Sequence, residues 1–143
     1  MSSNNILSKL DDSNFPIVRI TFGTTVDNNN EFEEIKKFWM KQYLKEEYFY
    51  MIFDTSNLSN LSMSYIYKLT KFTSQLKKLE IQYMKASILL IKSDFVRSLY
   101  SFYLNIQRPI SKVYIVKEDK DLNIISNKLL KNENIVGYTE YNP

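Results

Sequence analysis

The segment YFYMIFDTSNL, residues 48–58, begins with six consecutive aromatic or aliphatic side chains and turns polar abruptly at Asp54. A strand with one wet face alternates between apolar and polar residues; one that is apolar throughout is covered on both faces, as in a parallel sheet flanked by helices. ASILLI, residues 86–91, has the same character. Two such strands, each followed by a helical pattern, predict an α/β domain.

Working outward, FPIVRITF (residues 15–22) alternates, with Val18, Ile20 and Phe22 on one face and Ile17, Arg19 and Thr21 on the other, as in a strand at or near an edge. Ile6, Leu7 and Leu10, followed by the turn-prone Asp11-Asp12-Ser13-Asn14, supply a candidate hairpin partner. After Gly23 comes a polar loop from Asp27 to Asn30, and Asn30 is placed to cap a helix whose face is Phe32, Ile35, Trp39 and Tyr43. A second helix spans about 62–80, with Tyr65, Leu69, Phe72, Leu76 and Leu79 on one stripe. Ser93-Asp94 caps a third, expected to bury Phe95, Leu99, Phe102 and Ile106. Pro109 stops that helix; Val113 to Val116 is a further strand, and Glu118 to Lys131 a last helix carrying Leu122, Ile125 and Leu129.

The expected fold is a single α/β domain with a mixed, mostly parallel sheet of about 4–5 strands and about 4 helices. Residues 1–14 form an N-terminal segment, 15–131 the domain and 132–143 a tail.

Composition narrows the chemistry. The 143 residues are 44% hydrophobic, enough for one core, and contain neither Cys nor His. Disulfides, thiolate nucleophiles and the commonest zinc ligands are thereby removed, and no cofactor is expected. A net charge of +3, spread over scattered pairs such as Lys36/Lys37 and Lys77/Lys78, argues against a nucleic-acid partner. The polar start and strand-sized apolar runs lead to the expectation of a cytoplasmic protein without a membrane span. Abundant Asn, Ile, Lys and Tyr with only 2 Gly suggest an AT-rich genome, which bears on codons and not on function.

The strand into Phe53-Asp54-Thr55-Ser56-Asn57-Leu58, the Ser-rich turn and long helix after it, and KASILLIKSDFVRSLYSFYLNIQRPISKVYIV (residues 85–116) resemble the STAS family of SpoIIAA-like anti-sigma-factor antagonists and its SEC14-like relatives. The resemblance covers roughly residues 15–130. It implies a non-catalytic regulatory module that binds another protein or a second copy of itself, with a lipid or nucleotide ligand as the alternative. The family's phosphoacceptor turn lands on Ser62, Met63, Ser64 and Tyr65, where the acceptor position is Met63; Ser62 and Ser64 are displaced candidates for a phosphorylation switch. A phosphate at a helix start is electrostatically favoured yet disrupts an apolar partner surface. Either serine can equally be only a helix cap.

Asp54 invites comparison with phosphoacceptor aspartates, but the first strand ends in Thr21-Phe22-Gly23-Thr24, without the acidic pair that holds magnesium in such sites. It is read instead as accepting hydrogen bonds in its loop. No pair of carboxylates, phosphate-binding glycine loop or nucleophile elbow marks an enzyme. The candidate interaction surface comprises Asp54, Ser56, Asn57 and Ser59 in the turn, and Val96, Arg97, Tyr100, Tyr103 and Leu104 on the third helix, whose second apolar stripe exceeds what one sheet would cover.

Overall fold

The computed structural model describes residues 6–25 and 29–143. Six strands form one sheet in sequential order: β1 (Lys9–Asp11), β2 (Ile17–Thr21), β3 (Phe49–Asp54), β4 (Met84–Leu90), β5 (Lys112–Val116) and β6 (Thr139–Tyr141). β2 to β5 are mutually parallel, whereas β1 and β6 pair antiparallel at the two edges. The connecting helices are α1 (Asn29–Tyr43), α2 (Met63–Lys77), α3 (Asp94–Ile106) and α4 (Asp119–Leu130). The mixed, mostly parallel α/β domain expected from the sequence is the one observed, and the two apolar segments are its central strands.

Sequential order decides how the layers form. Three crossovers that step the same way across a sheet with the same hand pass over the same face. α1 and α2 accordingly share one core with Val18, Ile20, Phe49 and Met51, and α3 extends that layer over Leu89 and Val113. The opposite face, formed by Ile52, Ala86, Ile88, Leu90, Tyr114 and Val116, is covered by Leu122 and Ile125 of α4. β3 and β4 therefore need apolar residues on both sides.

Local chemistry accounts for the element boundaries. Phe32, Ile35, Trp39 and Tyr43 are all buried, as their spacing predicts. α1 already includes Asn29, so Asn30 is in its first turn and not its cap; residues 27 and 28 of the expected loop lie outside the described residues. Ser62 and Ser93 cap α2 and α3, accepting hydrogen bonds from the backbone N–H of Tyr65 at 3.1 Å and of Val96 at 3.2 Å. α2 ends at Lys77, which leaves Leu79 off the helix and 37% exposed instead of on the core stripe. A hairpin partner of β2 is present as expected, but β1 holds only Leu10 of the three residues named for it and takes in Asp11, which was read as turn. Gly23 closes this corner: a Cβ there would lie 2.0 Å from the Ile6 carbonyl oxygen, which accepts from the Thr24 N–H at 2.9 Å. Residues 132–143, read from sequence as a tail, contribute β6.

Candidate functional site

The carboxyl ends of β3 and β4 lead directly into α2 and α3, so the two helix starts lie at one edge of the sheet. Asp54 closes β3 at this edge and is only 6% exposed. Its Oδ2 receives the Arg19 guanidinium of β2 at 2.5 Å, and its Oδ1 accepts from the Ser56 N–H at 2.9 Å and the Ser56 hydroxyl at 2.5 Å. Burial by itself would raise the Asp54 carboxyl pKa, but the two Ser56 donors and Arg19 outweigh it and hold the group below its ordinary value. Asp54 is thus a fully engaged loop anchor, as its position suggested. Its burial removes it from any surface offered to a partner.

The loop beyond is pinned to the β2 end, Ser59 donating its N–H to the Thr24 carbonyl at 3.0 Å beside a parallel bridge between Thr25 and Asn60. Ser56 and Ser59 are exposed and Asn57 is half-buried. Ser62 is committed as the α2 cap, whereas Ser64 is exposed in the first turn.

On α3 the expected assignment of faces is inverted. Val96 and Tyr103 are buried, and Tyr100 and Leu104 are half-buried. Phe95 and Ile106, expected in the core, are 43% and 40% exposed, and Leu99 and Phe102 are half-buried. Burying a tyrosine requires a partner for its hydroxyl, and α2 provides one. The Tyr103 Oη lies 2.7 Å from Thr73 Oγ1, which also receives the Gln107 amide at 2.5 Å. Tyr100 stacks on Tyr103 and meets the edge of Tyr141 from β6. Besides their mutual stacking, the rings are completed by Thr73 of α2 and Tyr141 of β6, so nothing within α3 marked which stripe faces the sheet. Of the predicted surface on this helix, Arg97 alone is exposed.

Sequence reading also missed Met63 and Tyr67, which are 45% and 58% exposed on α2. Their spacing of four, outside the Tyr65–Phe72–Leu76 stripe, was a readable signal.

Between α2, α3 and the sheet lies an apolar cavity of about 150 Å³. Ile66, Leu69 and Thr73 of α2 face Val96, Leu99 and Tyr103 of α3 across it, with Phe53, Ser87 and Leu89 as the floor. Its volume is below the roughly 300–1,000 Å³ of pockets that hold drug-sized ligands. A single ring or a short alkyl chain fits the space; a whole lipid or nucleotide does not. At its far end Ser111 is 8% exposed, and its Oγ has no hydrogen-bond partner among the described residues.

No protein-family model, curated protein or solved structure matches the chain.

Among the described residues, no group of three or more His, Cys, Asp or Glu is placed to hold a metal ion, and no helix is long and apolar enough to cross a membrane.

Proposed function

We propose that this chain is a STAS-type protein-interaction module that docks a partner protein on the outer surface of α2 and α3 where they begin, with Ser64 as the switch. The observation that carries the reading is the exposure of Met63, Tyr67 and Phe95 on two neighbouring helices, next to a loop rich in serine. Scattered exposed hydrophobics are ordinary, but large ones grouped on adjacent elements mark contact surfaces. Arg97 adds a residue type favoured at such surfaces. The engaged state of Asp54 favours binding over catalysis. The surface differs from the one expected from sequence, because Val96 and Tyr103 are spent on the core.

Ser64 carries the switch because Ser62 is occupied as a cap. A phosphate on Ser64 would be welcomed by the α2 N-terminus while setting about two negative charges beside Met63 and Tyr67. Immobilised wild-type protein, Met63→Asp/Phe95→Asp and Val136→Asp are to be compared for quantitative capture from extracts of the source cells. Val136 serves as control because it is 79% exposed and lies far along the chain, after α4. The expected result is a discrete protein retained by wild type and Val136→Asp, and lost with the double variant and with Ser64→Glu. Equal retention by all four folded proteins, or a captured species identical to the bait, would refute docking of a different protein on this surface.

A further inference from the structure

We infer that the cavity between α2, α3 and the sheet is a binding site for a small, uncharged, mainly apolar ligand carrying one hydroxyl, held by Ser111. This goes beyond the docking role, since the cavity lies beneath the helices and not on their outer surface.

Its shape and chemistry select the ligand class. An apolar cavity of about 150 Å³ is the size that accepts benzene. Leu58, Leu61 and Leu99 line it and are only half-buried, so the space meets solvent where α2 and α3 start. No charged side chain lines it, which disfavours an ionic ligand.

Seven of the residues in the wall carry a hydroxyl, and they are not equivalent. Those of Thr73 and Tyr103 are already bonded to each other and to Gln107. Ser111 is different: the residue lines the cavity, and its Oγ is buried without a partner among the described residues. Met84, Pro109, Ile110 and Val113 line the same end, because β4 begins and β5 follows there. A water needs two to four polar partners, which these apolar side chains do not supply. A ligand hydroxyl, brought in by an apolar body that fills the rest of the space, would satisfy Ser111.

The test uses phenol and benzene as probes of the whole chain, followed by amide chemical shifts and by thermal unfolding. Both probes should produce saturable shifts at the amides of Ser87, Leu99 and Ser111 and raise the unfolding temperature, phenol binding more tightly. Ser111→Ala should erase about three- to tenfold of the phenol advantage, the equivalent of one neutral hydrogen bond, and leave benzene binding intact. Val96→Phe, or Leu99→Trp should the first fail to fold, should abolish both. The inference is overturned if neither probe saturates at these amides, if cavity-filling variants bind as wild type does, or if Ser111→Ala retains the full preference for phenol. Loss of partner capture leaves these readouts unchanged, so the two proposals stand or fall separately.

Discussion

Asp54 and Asp12 are both carboxylates whose charge the fold needs. Asp54 is held low by Ser56 and Arg19 against the effect of burial. Asp12 is lowered to about 2, first by the Gln42 amide and then by Lys45 and Lys41. A carboxyl depressed in the folded state contributes stability that is complete above its unfolded pKa near 4 and is withdrawn as the pH falls through the folded value. Denaturant unfolding at pH 6, 4 and 3 should therefore show falling stability below about pH 4. Asp12→Asn should flatten part of that fall, and an unchanged slope would contradict the assignment. Asp54→Ala strands the Arg19 guanidinium and two Ser56 donors and should cost about 2–4 kcal/mol by equilibrium unfolding. Arg19 is partly solvated, which keeps the figure below that of a fully buried pair. The anchoring role of Asp54 could be read from its place at the end of an apolar strand. Ser111 could not: nothing in Pro109-Ile110-Ser111 signals that a neighbouring strand and helix close over it.

At the scale of elements, α3 is the instructive case. It carries two apolar stripes, and the more hydrophobic of them, Phe95, Leu99, Phe102 and Ile106, is not the one that packs, because helical periodicity establishes that an apolar face exists without choosing between rivals. The choice is made by Thr73, Gln107 and Tyr141, which complete the environments of Tyr103 and Tyr100 from other elements or from beyond the helix end. α1 has one stripe and could be read correctly from spacing alone. Val96→Asp should destabilise the fold by more than about 3 kcal/mol, whereas Phe95→Asp should change it by less than about 1 kcal/mol. The opposite ranking in urea melts would restore the face expected from sequence. Tyr103→Phe and Thr73→Val, taken singly and together, should reveal a coupling of about 0.5–1.5 kcal/mol, the mark of a hydrogen bond between α2 and α3.

For the whole molecule, sequential strand order with antiparallel edges concentrates three helices on one face and brings the starts of α2 and α3 together. β3 and β4 disclosed this plan because only a doubly covered strand is apolar at nearly every position. β6 did not, for Thr139–Tyr141 is short and mostly exposed, and an edge strand of three residues has too few positions to display a period. Its contribution comes from pairing with β5, the Lys112–Glu140 ion pair and the Tyr100–Tyr141 contact. Removing residues 132–143 should lower stability by about 2 kcal/mol and the melting temperature by several degrees while the far-ultraviolet spectrum stays α/β. The proposed docking surface lies on α2 and α3 where they begin. A benzophenone amino acid in place of Tyr67, Phe95 or Val136, one at a time, and irradiated in the source cells, reads that directly. Docking there predicts one discrete protein adduct shared by positions 67 and 95 and absent from 136. Adducts at 136 alone, identical bands from all three positions, or none from any would contradict it.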